Sequence, residues 1–523
     1  MSRTRLDALL AGGACGPLAG DCRIIETHVS WVVLSGALAW KIKKPVNLGF
    51  LDFSSLAARR HACGEELRLN RRLAPDLYLD VVELRAQPPA SGADRPEPIV
   101  EYAVKMRRFP DGAAVGSALA ASLTAAEAVQ LGGLIGGFHG TLPRDLPFRE
   151  WGSADATWAA IDSSLLQMSG LVAGGMQERV NRCRSFLGSE FARRRGFITE
   201  RQRSGAVREC HGDLHLGNLV RLEGRIVPFD ALEFDPALRW IDVMNEVAFL
   251  LMDLDVRARR DLAFHFLNSW LDATGDFAGL AGLRLYLAYR ALVRAKVGGL
   301  GPLHAGAGNP DLATLLDYAA APLAGMGAGV VVMSGISGSG KSWLAGRLAP
   351  LLPAVHIRSD VERKRLAGLA PLARTGSAPQ AGIYAPAVSS RVYAHLAGLA
   401  GTVAAAGLPV ILDATNLRRA DRGAFIAAAR QAGVRALVLS CTADAATLEA
   451  RVRQRAQEAR DPSEAGVEVL RGQLQQYEPP GDDEGCPRIL VDTKAPTDVA
   501  ALVRRISPLL HAAHEGTTPT VLP

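Results

Sequence analysis

The chain has 523 residues, 48% of them apolar and 21% charged, with 59 Lys and Arg against 53 Asp and Glu for a net charge of +6. That length predicts about three compact units; the composition excludes disorder as the main state, and the 53 Gly and 29 Pro follow no collagen-like period. The charge excess is modest, no long basic block occurs, and no apolar run approaches the ~20 residues a membrane span needs, so neither nucleic acid nor a membrane is called for. Seven cysteines without a CxxC pair fit thiols in a reducing cytoplasm and argue against a disulfide frame or a zinc site. The first residues have a basic start, but Asp7 interrupts the apolar stretch, so they read as an ordinary helix and not as a signal peptide.

In chain order, alternating segments at 28–34, 37–43, 79–84 and 99–106 surround one helical pattern at 56–73, which predicts a small sheet with a helix over 1–110. Residues 111–325 are mostly helical in pattern, interrupted by a compact strand-and-loop block at 207–235. A Gly/Ala passage at 323–329 then leads into the strand 330–333 and alternating strands and helices, which places a third region at 326–512 and a frayed tail at 513–523.

The block at 207–235 contains Cys210-His211-Gly212-Asp213-Leu214-His215-Leu216-Gly217-Asn218, then a hairpin ending at Asp230. Kinases of the eukaryotic type use the spacing D-x-x-x-x-N followed by a third acid: the Asp accepts the hydroxyl proton, and the Asn and the later Asp hold Mg²⁺. Asp213, Asn218 and Asp230 stand in those places. Upstream, the strand Ala39-Trp40-Lys41-Ile42-Lys43 offers a cation for the α/β-phosphates, with Lys41 preferred and Lys43 the alternative. The helix carrying Glu65 and Glu66 offers the carboxylate that should meet it, Glu66 preferred. Glu233 and Asp235 could face an acceptor or serve turns and caps, while His139 and His215 read as structural.

The Gly of His211-Gly212-Asp213, where protein kinases have Arg, and the absence of a G-x-G-x-x-G loop make this region resemble the aminoglycoside and choline phosphotransferases. The resemblance covers roughly residues 20–320 and implies a bilobal protein-kinase-like fold, with Tyr102–Phe109 as the connection whose backbone meets adenine.

The third region carries Gly335-Ile336-Ser337-Gly338-Ser339-Gly340-Lys341-Ser342, which fits GxxxxGK[ST] directly after a predicted strand and before a helix. In such a loop the backbone N–H groups close around phosphates, Lys341 reaches the outer ones and Ser342 can ligate Mg²⁺. Val410-Ile411-Leu412-Asp413 reads as a buried strand ending in a second acid for the metal. Asp360, after the strand at 356–358, is placed to face an acceptor hydroxyl or to cap the next helix, and Arg451, Arg455 and Arg460 lie along a basic helical face.

This region resembles P-loop kinases of small molecules and nucleic-acid ends, such as gluconate kinase, zeta-toxin-like kinases and polynucleotide kinase. The stretches Ile357-Arg358-Ser359-Asp360-Val361-Glu362-Arg363 and Leu412-Asp413-Ala414-Thr415-Asn416 look most like the last of these. The resemblance implies that Asp360 activates the hydroxyl, Arg363 binds on the acceptor side and Arg455 belongs to a lid. The two regions together are similar to proteins described as bifunctional aminoglycoside phosphotransferase-like and ATP-binding. The expectation is therefore a cytoplasmic enzyme: a kinase-like fold, then a P-loop NTPase fold with a parallel sheet and flanking helices, using ATP and Mg²⁺. A small-molecule hydroxyl is the expected acceptor. A nucleic-acid 5′-hydroxyl kinase, or a kinase regulated by a nucleotide-sensing P-loop module, is the alternative.

Overall fold

A computed structural model describes residues 3–11, 22–49, 51–85, 98–110, 112–299, 310–377, 380–458 and 461–511. Arg460 and the expected tail 513–523 lie outside the described residues. By its internal contacts the chain forms two compact units, one from Met1–Glu127, Phe138–Arg257 and Leu285–Ala320, the other from Ala128–Gly137, Ala258–Arg284 and Ala321–Pro523.

The first unit begins with α1 (Arg3–Ala11), β1 (Arg23–Glu26), β2 (Ser30–Ser35), β3 (Leu38–Lys43), α2 (Leu56–Asn70), β4 (Tyr78–Arg85) and β5 (Ile99–Arg107). The strands form one antiparallel sheet in the order β1-β2-β3-β5-β4. Strand alternation divides β3 between two cores. Trp40 and Ile42 join Leu6 and Leu10 on one face, and Ala39 joins Cys63 of α2 on the other. That second face carries Lys41 and Lys43 toward α2.

Because β5 pairs with β3 on one side and β4 on the other, its backbone groups are spent in the sheet through Arg107. This corrects the expected connection at Tyr102–Phe109: most of that segment is a central strand with no backbone edge to offer a base.

The chain continues through α3 (Ser117–Ser122), α4 (Ala125–Thr141), α5 (Ala154–Leu171), α6 (Gly175–Arg203), β6 (Val207–Glu209), the hairpin β7 (Leu219–Leu222) and β8 (Arg225–Pro228), β9 (Trp240–Asp242), α7 (Val243–Asp255), α8 (Arg260–Thr274), α9 (Leu283–Gly299) and α10 (Leu312–Ala320). All but α8 and the middle of α4 belong to the first unit.

The second unit contains β10 (Gly329–Ser334), α11 (Lys341–Leu351), β11 (Val355–Arg358), α12 (Ser359–Leu366), α13 (Pro386–Ala405), β12 (Pro409–Asp413), α14 (Arg419–Gln431), β13 (Arg435–Thr442), α15 (Ala445–Glu458), α16 (Val467–Gln476), β14 (Arg488–Asp492) and α17 (Val499–His511). Its strands form an all-parallel sheet, β11-β12-β10-β13-β14. The middle strand β10 is buried at every position, as the continuous apolar run 330–333 requires when helices cover both faces. One core joins Val331 and Met333 to Leu344 and Leu348 of α11 and Ile506 of α17.

The sequence boundary near 325 therefore falls close to Ala320–Ala321, but the second unit also recruits 128–137 and 258–284 from the stretch expected to form one lobe. Helix α8 carries apolar side chains on most of its circumference, with Leu262, Phe266, Leu267, Trp270 and Leu271 buried. Such a helix needs partners on more than one side. Part of that cover is a close approach to α4: a Cβ on Gly132 would sit 2.4 Å from the Phe266 carbonyl oxygen and 2.8 Å from Ser269 Cβ. Gly132→Ala should thus lower stability by about 1–3 kcal/mol through overpacking, read as a lower midpoint in chemical unfolding. An unchanged midpoint would mean that α4 and α8 do not approach this closely.

Candidate active sites

In the first unit the buried face of α2 runs through Arg59, Ala62, Cys63, Glu66, Leu69 and Asn70, a helical stripe that includes Glu66 and leaves out Glu65. Glu66 has no exposure. One of its oxygens lies 2.9 Å from Lys41 Nζ and the other 2.5 Å from Lys43 Nζ. Lys41 also donates to Asp230, and Lys43 to Glu233. Five charged groups, two ammonium and three carboxylate, thus close one network. Burial works against the charge on Lys41, but Asp230, Glu66 and Glu233 outweigh it and raise its pKa well above the ordinary value. Burial likewise opposes the charge on Glu66, yet Lys41 and Lys43 hold its carboxyl below the usual range. Glu233 moves the other way, raised chiefly by burial. Glu65 instead pairs with Arg68 and Arg239.

Asp230 adopts φ +62, a left-handed conformation that non-glycine residues rarely take. It is held there from two elements: its N–H donates to the Tyr78 hydroxyl at 3.0 Å, and the next N–H, of Ala231, donates to Asn70 Oδ1 at 2.8 Å. The loop at 211–218 is tied as firmly. The Gly212 N–H donates to buried Glu246 at 2.7 Å, whose other oxygen lies 2.7 Å from His139 Nε2. Arg72 donates to the Glu209 and Cys210 carbonyls, and the Leu216 N–H to Asp253. Held in this way, Asp213 presents a partly exposed carboxylate that accepts from Asn218 Nδ2 at 2.8 Å and lies 3.4 Å from His215 Nε2. Burial raises the Asp213 pKa, but His215 and Arg294 prevail and hold it well below the usual carboxylate range. The buried group His139, Cys210 and Glu246 has the reach to hold a metal. However, burial pushes the Cys210 thiol well up and keeps it protonated, and Glu246 is already spent on its two donors.

In the second unit β10 runs directly into the loop 335–340 and then α11. Gly338 and Gly340 have φ +84 and +80, and a Cβ on Gly338 would meet the Leu448 carbonyl at 2.6 Å, so both turns require glycine. Lys341 and Ser342 open α11. Ser342 Oγ donates to Asp413 Oδ1 at 3.0 Å, and His356 Nε2 lies 3.2 Å from Asp413 Oδ2. Burial raises the Asp413 pKa, but His356, Arg358 and Lys341 outweigh it and hold the carboxyl at about 2. Burial lowers the Lys341 pKa, Asp413 opposing and Arg455 reinforcing the shift.

A cavity of about 610 Å³ adjoins this group, lined by Ser337, Lys341, Ser342, Asp360, Arg363 and Asp413 among others. Asp360 is the second residue of α12, whose N-cap position is Arg358, so Asp360 faces the cavity from the first turn and is not the N-cap. Arg455 donates to the Ala465 carbonyl, Arg451 is tied to the Gly338 and Thr493 carbonyls, and Ser339 Oγ is buried without a partner. Two loop amides are engaged from outside the motif: the Gly335 N–H donates to the Thr415 carbonyl at 2.9 Å, and the Ser337 N–H to Gln473 Oε1 of α16 at 2.7 Å.

Sequence reasoning gave no role to Gln473, Glu246 or His356, and it left Lys43 as an alternative to Lys41 where the structure engages both. The last had a signal, since Lys41 and Lys43 share a strand face; the Gln473 contact had none.

The parallel sheet, the phosphate-type loop at its middle strand and the Ser342–Asp413 pair define a P-loop unit. The AAA_33 family model, described as an AAA domain, matches residues 330–480. The chain is 31% identical over 398 residues to the uncharacterized protein Rv2004c of Mycobacterium tuberculosis, covering 75% of this chain and 77% of that one, and it belongs to the same family. Among solved structures it is similar to a choline/ethanolamine kinase family protein from Mesorhizobium loti, at 16% identity and TM-score 0.36, over 60% of this chain and 92% of that one. It is also similar to a gluconokinase from Sinorhizobium meliloti, at 22% identity and TM-score 0.24, over 34% of this chain and 87% of that one. No described helix is long and apolar enough to cross a membrane.

The charge network makes a clear forecast. Glu66→Gln removes the shared anion between two buried ammonium groups and should cost about 3–5 kcal/mol, whereas Glu65→Gln, whose partners Arg68 and Arg239 both keep Glu209, should cost no more than about 1 kcal/mol. Urea unfolding of the two variants measures the difference, and equal losses would contradict the pairing described.

Proposed function

We propose that the chain carries two ATP-dependent phosphotransfer sites, one at the Asp213 loop and one at the P-loop, each acting on a hydroxyl of a small molecule. The observation that carries the reading is that each unit sets a lysine beside a carboxylate of the metal-binding type, Lys41 with Asp230 and Lys341 near Asp413, and supplies a second carboxylate for an acceptor.

In the first unit Asp213 would take the acceptor's proton, and the hydrogen bond from Asn218 fixes the direction in which its carboxylate points. Lys41, oriented by Glu66, would hold the α- and β-phosphates. In the second unit the loop amides and Lys341 would hold the triphosphate, and Asp360, in the first turn of α12 just after β11, would take the acceptor's proton. Ser342 with Asp413, and Asn218 with Asp230, are hard oxygen-donor sets that fit Mg²⁺. Bound with ATP, that ion would neutralise the charge developing on the leaving diphosphate. A bounded cavity of about 610 Å³ suits a small acceptor.

Transfer of labelled γ-phosphate from ATP to extracted small metabolites tests this in the full chain. Asp213→Asn and Asp360→Asn should each deplete a different set of labelled products by about 10²–10⁴-fold, the range for a lost general base. If both variants label everything as the parent does, neither carboxylate acts as a base. Label passing only to 5′-hydroxyl oligonucleotides would replace the small-molecule reading with an end-kinase one.

A further inference from the structure

The strand that positions the P-loop metal carboxylate has a free edge, and a segment far upstream in the chain covers it. β11 is the outermost strand of the parallel sheet, paired with β12 so that Arg358 faces Asp413. In a parallel strand alternate residues send their N–H and C=O groups to opposite sides. The Ala354 carbonyl and the His356 N–H point outward, where a sixth strand would lie.

Both groups are met by one side chain of α8. Asn268 Oδ1 accepts from the His356 N–H at 2.8 Å, and Asn268 Nδ2 donates to the Ala354 carbonyl at 3.0 Å. A single amide thus reproduces the pairing of a neighbouring strand's peptide. The residue whose backbone it grips is the one whose ring reaches Asp413 Oδ2 at 3.2 Å, while Ser342 takes Asp413 Oδ1.

The same helix holds α12. Arg365 Nη2 donates to the Leu271 and Asp272 carbonyls at 3.3 and 2.7 Å. At the helix end, Gly275, φ +70, lets Arg365 approach so closely that a Cβ there would lie 2.8 Å from its guanidinium. α12 carries Asp360 in its first turn. Both carboxylates assigned to the P-loop chemistry are therefore braced from α8, which the sequence places between α7 and α9 of the first unit.

We propose that Asn268 is a positioning residue of the P-loop site: through the β11 backbone it fixes His356, and through His356 the Asp413 carboxylate that would hold Mg²⁺. This rests on the reading of Asp413 as a metal ligand. A purely structural edge cap would support nucleotide binding with and without the metal equally. A positioning residue acts on the metal-dependent part alone, because the loop amides that remain unspent and Lys341 would grip phosphate without Asp413.

The test uses the full chain and reads hydrogen-exchange protection of residues 335–342, which reports occupancy of this site alone, during ATP titrations with Mg²⁺ and with EDTA. In the parent, Mg²⁺ should lower the half-saturating ATP concentration. Asn268→Ala should leave the EDTA value within about twofold and weaken the Mg²⁺ effect by about 10-fold, the usual scale for a lost outer-shell partner of a metal site. Asn268→Asp keeps the acceptor for the His356 N–H and should retain part of that effect; it also serves should the alanine variant fail to fold. An undiminished Mg²⁺ effect in both variants, or an equal loss with and without Mg²⁺, overturns the proposal. Asp413→Asn runs alongside: if it too keeps the full Mg²⁺ effect, the failure lies in the metal reading of Asp413 and not in the role of Asn268.

Discussion

A carboxylate with no exposure, shared between two ammonium groups, is the constraint on which the first unit depends. Glu66 can be buried only because Lys41 and Lys43 arrive on one face of β3, and those lysines can be buried only because Glu66, Asp230 and Glu233 surround them. Removing Glu66 strands the ammonium of Lys43 in a place that water does not reach. The network thus fixes the register of β3 against α2 and, through Asp230 and Glu233, ties the segment after the β7–β8 hairpin to the sheet. Asp230 stands in a left-handed conformation at the start of that segment, a local cost borne where the carboxylate must face a lysine.

The second unit meets the same problem with different means. Asp413 is buried at the end of β12 and kept ionised by His356, Arg358 and Lys341. The amides proposed to bind phosphate come from a loop whose glycines tolerate positive φ. In both units the lysine proposed to meet phosphate sits beside a carboxylate, so the charge a triphosphate would meet there would be oriented before it arrives, which is the arrangement that electrostatic preorganisation requires.

The short motifs were the most legible part of the sequence. GxxxxGKS and HGDxxxxN are read from spacing because their backbone geometry admits few residue types, and the alternation of β3 placed Lys41 and Lys43 on one face and Ile42 on the other. The preference for Glu66 over Glu65 also had a local basis, since only Glu66 falls on the stripe with Ala62, Cys63 and Leu69. What could not be read was tertiary. The pattern of α8 shows a broad apolar face, but periodicity does not say against which sheet it packs, and Asn268 is one unremarkable residue of its polar side. Tyr102–Phe109 was misjudged because an apolar alternating run looks the same whether it is a strand at a sheet edge, a strand at its centre or a connection. The grip of Gln473 on Ser337 joins residues 136 apart and leaves no local trace.

The proposed function requires two nucleotide sites of unrelated design in one chain, and the number of nucleotides bound per chain measures whether both exist. Equilibrium dialysis of the full chain against a non-hydrolysable ATP analogue with Mg²⁺ should saturate at two per chain, and at one in Lys341→Ala. Saturation at one in the parent, or at two in Lys341→Ala, would contradict it.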